Sequence, residues 1–371
     1  MAKTRILVVD ASVVVRRLLT HVLASDPSLE VVGSAPNGHI ALAKVPQVNP
    51  DLIILDIEMP DGDGPRTLAA LRKSYPRLPV IIFAALTDQT PAAVIEMLTL
   101  GASDYVTKAV NATHAEETAR LIRDELIPKI KVYTQVPAKA GPLPALGKTT
   151  TTSEARGQWT LRRRVDVLVI GVSTGGPNAL AELLQNFPSD FPVPVLIVQH
   201  MPPMFTKLLA DRLDRTCHIR VSQGTPNEAV RPGRAWMAPG NFHMTLQKHN
   251  DTVRIQIDQS PPENSCRPSV DVLFRSAAEV YGPHVLAVVL TGMGQDGLRG
   301  CERVHEEGGQ IFAQDEASSI VWGMPGFVVK AGLAHKVLPL QHLGDEIMRS
   351  VWEYRSPRPD RLSVRSQVEK D

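Results

Sequence analysis

Two blocks of the sequence alternate short apolar runs with segments whose apolar residues recur at helical spacing, and this alternation limits the folds open to the chain. Such runs predict parallel strands joined by crossover helices, because these strands are buried on both faces. We therefore predict an α/β protein with two doubly wound parallel-sheet domains. The candidate strands lie at residues 6–9, 30–33, 52–55, 80–83 and 105–107 in the first block, and at 167–170, 193–198, 219–221, 253–257, 285–290 and 311–313 in the second.

A segment rich in Pro, Gly, Thr and Ala separates the two blocks, at residues 135–159. It has neither helical nor strand periodicity, which is typical of an exposed linker. The end of the chain is polar and predicts a frayed tail. The predicted boundaries are a first domain over 1–130, a linker over 131–164, a second domain over 165–354 and a tail over 355–371.

The composition excludes several classes of partner. The chain has 371 residues, of which 43% are hydrophobic and 21% charged, enough to bury two cores. Its formal net charge is only +1, so no field of the whole protein gathers nucleic acid or an anionic membrane. The chain starts without the apolar run of a signal peptide and contains no bilayer-length apolar stretch. We expect a cytoplasmic protein without membrane insertion.

The three cysteines, Cys217, Cys266 and Cys301, are scattered along the second block. They form no CxxC pair and have no histidine at zinc-ligand spacing, so the sequence signals neither a zinc site nor a disulfide framework. We expect them to be small, buried apolar residues.

Charged residues follow three of the candidate strands in the first block. Asp10 and Asp56 end the first and third strands, and Lys108 follows the fifth. The carboxyl ends of parallel strands meet at one edge of a sheet, so these groups can converge. Two carboxylates and an ammonium group suit a divalent cation and a phosphoryl group. Each aspartate alone is as well explained as a helix N-cap.

The segments ILVVD, PDLIILDIEMPDGDG and GASDYVTK occur in this order and together resemble the receiver domain of bacterial two-component response regulators over residues 5–125. The resemblance implies a flavodoxin-like fold with Asp56 as the phospho-acceptor. It also implies a magnesium site formed by Asp10 and Asp56, with Lys108 as the lysine of the family.

Two positions depart from the receiver pattern. Ala11 stands where receivers usually carry a second acid, and Ala84 stands where they carry a serine or threonine after the fourth strand. Losing a carboxylate ligand weakens magnesium binding, and losing the hydroxyl removes the contact that senses the phosphoryl group. We therefore predict that Asp56 is phosphorylated poorly or not at all, and that the domain serves for docking or as a cover.

In the second block, Ser173 lies in a glycine-rich turn between a candidate strand and a candidate helix. The segment 171–175, GVSTG, fits G-x-S-x-G, in which a sharp turn exposes a nucleophilic hydroxyl. The same pattern is compatible with a phosphate-binding loop or with a helix-capping serine. The motif alone does not choose between these roles.

A base and an acid follow two other strands of the second block. His200 ends the next candidate strand, and Asp296 follows a later one in TGMGQDG. A serine nucleophile needs a base, and the base needs an orienting acid, so the three residues fit a triad if they meet at one sheet edge. Backbone amides near Thr174 and Gly175, at a helix N-terminus, suit an oxyanion.

The motifs GVSTGGP, VQHMP, APG, RPSVD, TGMGQDG and WGMP together resemble the catalytic domain of the chemotaxis protein-glutamate methylesterases, a family that also carries an N-terminal receiver. The resemblance implies a Rossmann-like catalytic domain with Ser173 as nucleophile, His200 as base and Asp296 as orienting acid. It adds the amide of Met293 to the oxyanion site. It also implies that the receiver lies over the catalytic cleft.

The expected reaction is hydrolysis of glutamate γ-methyl esters on the cytoplasmic domains of methylated chemoreceptors, together with glutamine deamidation in this family. No cofactor is expected for catalysis, and a chemotaxis histidine kinase is the partner expected for the receiver. Two alternatives stay open at this point: a serine esterase with another substrate, and a non-catalytic regulatory binding protein. His243 is a second candidate base, for which we expect a rim or substrate-contact role, and Arg267 is a candidate contact to acidic receptor surface.

Overall fold

The computed structural model describes residues 3–59, 63–85, 87, 90–108, 115–135 and 164–353. The linker segment 136–163 and the tail 354–371 lie outside the described residues. Within the part of the chain that the structure describes, no helix is both long and apolar enough to span a membrane.

The first sheet has five parallel strands in the order β2-β1-β3-β4-β5, the flavodoxin-like order. Residues 6–9, 52–55 and 80–84 of its central strands are apolar and buried because helices cover both faces. The strands are β1 (Thr4–Val9), β2 (Leu29–Ala35), β3 (Leu52–Leu55), β4 (Val80–Ala85) and β5 (Asp104–Lys108). The helices are α1 (Val13–Leu23), α2 (Gly38–Val48), α3 (Asp63–Ser74), α4 (Thr90–Thr99), α5 (Ala115–Leu121) and α6 (Ile127–Gln135), with a π-helical turn, Ile122–Leu126, between the last two.

The second sheet has seven parallel strands in the order β14-β13-β12-β6-β7-β9-β8, a Rossmann-like arrangement. The strands are β6 (Val167–Val172), β7 (Val195–Gln199), β8 (Arg220–Gln223), β9 (Arg234–Met237), β12 (Val285–Val289), β13 (Gln310–Gln314) and β14 (Lys336–Leu338). The helices are α7 (Gly176–Leu184), α8 (Pro203–Thr216), α9 (Val270–Tyr281), α10 (Leu298–Glu306), α11 (Met324–Lys330) and α12 (Leu340–Trp352), with a short 3-10 turn at Gly282–His284.

The α/β prediction is confirmed for both sheets, with one misplaced strand. Residues 253–257 belong to an antiparallel hairpin of β10 (His243–His249) and β11 (Thr252–Asp258), separate from the seven-stranded sheet. Apolar and polar residues alternate in MTLQ of β10 and in VRIQI of β11, and Asn250 in the turn between them has φ 52°, in the left-handed region. Alternating strands joined by a tight turn form a hairpin more readily than a fully buried parallel strand. The first domain also extends beyond its predicted boundary at residue 130, because α6 continues to Gln135.

The two sheets are joined through a compact interface. Helix α4 packs against α8 and α7. The ring of Tyr105, in β5, stacks on Phe205, in α8, with centroids 4.8 Å apart and planes 11° apart. Asn178 donates a side-chain hydrogen bond to the carbonyl of Ala102 at 3.3 Å. Phe205 is fully buried, so the first domain covers an apolar part of α8.

Candidate active site

The candidate site lies where the strand order of the second sheet reverses direction. Strand β6 pairs with β7 on one side and with β12 on the other. Loops that leave neighbouring strands in opposite directions open a crevice at the carboxyl edge, where ligands bind in folds of this kind. Ser173 follows β6, His200 follows β7 and Asp296 lies beyond β12. The topology therefore brings all three loops to one crevice.

His200 and Asp296 form a hydrogen-bonded pair. The Nε2 atom of His200 lies 2.8 Å from Oδ2 of Asp296, whose carboxylate is buried. A carboxylate only accepts hydrogen bonds, so Nε2 carries the proton and donates it. This arrangement fixes the imidazole ring and leaves its other nitrogen, Nδ1, to act as the base.

Asp296 is held by four further donors from one segment of chain. Its Oδ1 accepts from the Asn264 side chain at 2.9 Å, the Ser269 hydroxyl at 2.8 Å and the Asp271 amide at 3.2 Å. Its Oδ2 also accepts from the Val270 amide at 2.7 Å. Burial alone would raise the pKa of Asp296, but these donors and His200 hold it well below its usual range. The carboxylate is therefore ionised and fixed in position.

Asp271 anchors the loop that carries Asp296 and leads into α10. One of its carboxylate oxygens accepts the amides of Gly297 at 2.9 Å and Gly300 at 2.6 Å, at the start of α10. The other accepts from Asn264 at 2.8 Å, so this amide side chain bridges Asp271 and Asp296. Burial raises the pKa of Asp271 to about 6, while the Gly300 amide opposes the rise.

Ser173 lies at the turn that sequence analysis singled out. Gly175 adopts φ 78°, a conformation that side-chain-bearing residues rarely take, and this lets the chain turn sharply into α7. Gly292 packs against Ser173 so closely that a Cβ on it would lie 2.8 Å from the Cβ of Ser173. Among the described residues, the hydroxyl of Ser173 makes no hydrogen bond, and it is therefore not joined to His200 in this structure.

The amides proposed for an oxyanion are available. Within the described ranges, the backbone amides of Thr174, Gly175 and Met293 donate to no protein acceptor. The neighbouring peptide is fixed, because the carbonyl of Gly292 accepts the amides of Gly323 and Met324 at 3.1 and 2.8 Å. Unpaired amides beside the serine turn can bind a developing negative charge.

Gln199 fastens the serine loop to the histidine loop. Its side-chain amide donates to the carbonyl of Ser173 at 2.9 Å and to the carbonyl of His200 at 3.2 Å. The His200 amide also donates to the Val172 carbonyl at 3.2 Å. Gly176 makes room for Gln199, since a Cβ there would lie 1.9 Å from Oε1. The two loops are thus held next to each other, although the side chains of Ser173 and His200 are not hydrogen-bonded.

Cys266 occupies the free side of His200. Its Sγ lies 3.7 Å from Nδ1 of the imidazole. Burial favours the neutral ring, but the hydrogen bonds that the protonated ring donates to Asp296 and Cys266 outweigh it and raise the pKa of His200 to about 9. The expectation that all three cysteines are buried is wrong for Cys266 and for Cys217, which are both half-buried; Cys301 is buried as expected.

A cavity of about 570 Å³ opens beside His200 and Cys266. The catalytic-domain side also contributes Met201, Asn241 and Arg267. The opposite wall belongs to the first domain and is formed by Tyr105, Thr107, Glu125 and Lys129. The first domain therefore covers one side of the cleft that contains the candidate base.

His243 is a buried structural residue. It is 1% exposed, its Nε2 lies 3.1 Å from the carbonyl of Pro261, and its Nδ1 accepts the amide of Ser269 at 3.3 Å. A rim or substrate-contact role is therefore wrong for His243. Arg267 lines the cavity, and its guanidinium donates to Asn241 and to backbone carbonyls.

The first domain brings its predicted charged residues together. Lys108 Nζ donates to Oδ2 of Asp10 at 2.9 Å and to Oδ2 of Asp56 at 3.0 Å, and all three side chains are buried. Burial raises the pKa of Asp56 to about 6, against the opposing charge of Lys108. Burial would lower the pKa of Lys108, but the two carboxylates raise it above its usual value.

This cluster is a poor fit for magnesium. The remaining carboxylate oxygens accept the amides of Ser12, at 2.8 Å, and Glu58, at 3.3 Å. Magnesium prefers six oxygen ligands in near-octahedral geometry, and Ala11 supplies none. Ala84 is fully buried in β4, so no hydroxyl extends from that position toward a phosphoryl group.

Several positioning residues were not found by sequence reasoning. Asn264, Ser269 and Asp271 hold Asp296, and Gln199 ties two loops. Ser269 and Asp271 lie in the RPSVD motif, which only the family resemblance distinguishes from its surroundings. The contacts of these residues span from 25 to 32 residues of sequence, which no local pattern reveals.

Comparison with known proteins gives two family matches. Residues 168–347 match the CheB methylesterase family, and residues 6–120 match the response regulator receiver domain family. A protein-glutamate methylesterase/protein-glutamine glutaminase of Trichodesmium erythraeum is 51% identical over 95% of this chain and 100% of its own length. One of a Nocardioides species is 46% identical over 95% of this chain and 96% of its length. The crystal structure of the Thermotoga maritima CheB methylesterase catalytic domain is 42% identical, covers 50% of this chain and 99% of its own, and has a TM-score of 0.49.

Proposed function

This chain belongs to the CheB methylesterase family, and we propose that it hydrolyses glutamate γ-methyl esters on the cytoplasmic domains of chemoreceptors and deamidates glutamines there. As a member of the family it is a carboxylic ester hydrolase with a response-regulator receiver. The proposed residues are a triad of Ser173, His200 and Asp296. The observation that carries this assignment is the His200–Asp296 pair, which leaves Nδ1 as the base in the crevice that contains Ser173.

The proposed reaction has two similar halves. Nδ1 of His200 accepts the proton of Ser173 as the serine oxygen attacks the ester carbonyl. The amides of Thr174, Gly175 and Met293 bind the resulting oxyanion. The intermediate collapses, the C–O bond to the methoxy group breaks, and methanol leaves with the proton from His200. Water then repeats the sequence on the acyl-enzyme and frees the glutamate.

Ser173 must approach His200 for this reaction. In the structure the thiol of Cys266 takes the place at Nδ1, while Gln199 keeps the serine and histidine loops adjacent. Ser173 makes no side-chain hydrogen bond among the described residues, so rotation of its hydroxyl breaks no contact of the folded chain. Catalytic hydrogen bonds often tighten only when substrate is bound.

Methanol release from methylated receptor tests the function. The full chain should release methanol from receptor fragments carrying glutamate methyl esters, and ammonia from fragments carrying glutamine at the same positions. An unmethylated glutamate fragment is the matched control and should release neither. Activity on small esters without activity on receptor would support the other-substrate esterase, and no activity on either would support a regulatory binding protein.

We also propose that the receiver restrains the catalytic domain. This proposal is supported by the wall that the receiver contributes to the cavity and by the Tyr105–Phe205 stack. An aromatic pair contributes about 0.5–1.5 kcal/mol, so Tyr105→Ala in the full chain should raise the rate about two- to tenfold. A fragment starting at Arg164 should be at least as fast. Equal methanol release by all three proteins would contradict restraint.

Phosphorylation of the receiver should be weak, because the magnesium donor set is incomplete. With magnesium and a small phospho-donor such as acetyl phosphate, only a small fraction of chains should carry label. Ala11→Asp should tighten magnesium binding by at least about tenfold and increase the label, while Asp56→Asn should carry none. Stable stoichiometric labelling of Asp56 in the unmodified chain would contradict the prediction. A chemotaxis histidine kinase is the proposed physiological donor.

The rate should rise with pH toward about 9. The pKa of His200 is raised from 6.5 to about 9, so the imidazolium persists at neutral pH and only about 1% of the base is free at pH 7. Catalysis needs the neutral ring, and kcat/KM should therefore increase about tenfold per pH unit below the pKa. Cys266→Ala should lower the apparent pKa, whereas Cys217→Ala should not change it. A profile that levels off near pH 6.5 in the unmodified chain would contradict this assignment.

A further inference from the structure

The cluster of His200, Cys266 and Asp296 has a second chemical capacity besides the proposed catalysis. One nitrogen, sulfur or oxygen atom from each residue lies within 4.8 Å of the others. The set contains a thiol, an imidazole and a carboxylate. Thiolate and imidazole are the donors that zinc prefers, and they are poor ligands for magnesium or calcium.

The spacing of the two softer donors suits a tetrahedral zinc ion. Cys266 Sγ and His200 Nδ1 lie 3.7 Å apart. Bonds of about 2.3 Å to sulfur and about 2.05 Å to nitrogen at a tetrahedral angle place those two atoms about 3.6 Å apart. An ion can therefore enter between them with almost no movement of either side chain.

Asp296 prepares the histidine for a metal. A ligating histidine usually donates its other ring nitrogen to a carboxylate, which fixes the tautomer and raises the basicity of the ligating nitrogen. His200 donates Nε2–H to Asp296 at 2.8 Å, so Nδ1 is the ring nitrogen that faces Cys266 and that a metal ion would contact. Asp296 is itself fixed by Asn264, Ser269 and the amides of Val270 and Asp271. The residues that would orient a zinc-ligating histidine are therefore already in place.

Hydrogen bonds also fix the backbone around Cys266. Glu263 and Cys266 exchange two backbone hydrogen bonds, at 3.1 and 2.8 Å. Asn264 and Ser265, between them, both have φ in the left-handed region, at 52° and 62°, which forms a tight two-residue turn. Arg275 fixes Glu263 through two short bonds of 2.7 and 2.6 Å. Because the thiol is already positioned, little conformational entropy is lost when a metal binds.

We propose that Cys266 and His200 form a zinc-binding site that inhibits the enzyme. The cavity of about 570 Å³ beside both residues has room for water on the remaining coordination positions. On binding, Cys266 gives up its thiol proton and His200 gives up the proton on Nδ1, both to solvent, as zinc forms one bond to the sulfur and one to the nitrogen. Nδ1 can then no longer accept the proton of Ser173, so ester hydrolysis stops. The ligand is a free divalent zinc ion or a similar thiophilic ion.

Metal binding is tested on the full chain without reference to activity. After dialysis against zinc and removal of excess, the unmodified chain should retain one ion at this site. Cobalt substitution should produce the near-ultraviolet charge-transfer band of a thiolate ligand. Cys266→Ala should weaken zinc binding by more than about 100-fold, beyond the 10–100-fold typical of losing an outer-shell partner. Cys217→Ala, a half-buried cysteine at the end of α8, is the matched control and should bind like the unmodified chain.

Inhibition is measured as the ratio of methanol release with and without zinc for each variant. The unmodified chain and Cys217→Ala should lose activity as zinc saturates the site, whereas Cys266→Ala should keep its own zinc-free rate over that range. A cobalt spectrum without a thiolate band, or equal binding by Cys266→Ala, would overturn the site. Binding at Cys266 without inhibition would overturn the regulatory role. The binding measurement does not depend on the proposed esterase function, so a failure of either idea is distinguishable from a failure of the other.

Discussion

Replacing Ser173 with alanine should reduce methanol release from methylated receptor by about a million-fold, leaving only the residual acceleration that binding and the oxyanion amides provide. The serine oxygen forms the covalent acyl-enzyme in the proposed reaction, and water has no comparable position against the carbonyl. The fold should be unaffected, because the Ser173 hydroxyl makes no hydrogen bond among the described residues. Steady-state methanol release, with the thermal midpoint measured in parallel, checks both statements.

Ser222 provides a matched control for this substitution. It lies in β8, at the edge of the sheet, and its hydroxyl is buried without a hydrogen-bond partner in the described part of the chain. Ser222→Ala removes the same atom from the same domain and should leave the rate within about twofold. If Ser173→Ala kept more than a few per cent of the activity, the nucleophile would be another group. Cys266, the thiol that contacts His200, would then be the first residue to replace.

Replacing Asp296 with asparagine should lower kcat by about 10⁴-fold, the size of effect seen when the orienting acid of a serine triad loses its charge. An asparagine amide can present N–H to His200, which would place the ring proton on Nδ1 and abolish the base. The substitution also removes the charge that raises the pKa of His200. The apparent pKa of any residual activity should therefore fall from about 9 toward 6.5, which a purely structural defect would not produce.

Asp271 is the matched control for Asp296. It is buried in the same loop cluster and hydrogen-bonds to Asn264, but it does not touch His200. Asp271→Asn weakens the anchoring of α10 and should lower the free energy of unfolding by about 1–3 kcal/mol. Its effect on kcat should be much smaller, with the apparent pKa near 9. Equal losses of kcat in the two variants would show that Asp296 acts only by supporting the fold.

Strands and helices with strong periodicity were predictable from the sequence. Apolar runs such as 52–55 form fully buried parallel strands at those positions, because only crossover connections can bury both faces of such a run. The hairpin of β10 and β11 was missed as a unit, although its second strand was found. Its paired strands alternate apolar with polar residues, and this favours local antiparallel pairing over a place in the main sheet.

The site was predictable only as far as chain topology determines it. The rule that carboxyl ends of parallel strands converge located Ser173, His200 and Asp296 at one crevice. In the structure two of these residues, His200 and Asp296, are hydrogen-bonded to each other. The rule does not specify side-chain rotamers, so it could not show that Cys266 rather than Ser173 faces Nδ1. Cys266 reaches His200 through a tight turn 66 residues further along the chain, and nothing in the local sequence links the two.

The cavity wall that Tyr105, Glu125 and Lys129 contribute has a consequence for how the enzyme meets its substrate. A receptor segment that enters the cleft must occupy the space now bounded by the receiver, so substrate and receiver compete for one surface. In such a competition the apparent affinity for substrate equals the intrinsic affinity multiplied by the fraction of time that the cleft is open. A high local concentration of receptor segments at the cleft would displace the receiver by mass action. Receptor concentration would then open the cleft even when Asp56 carries no phosphoryl group.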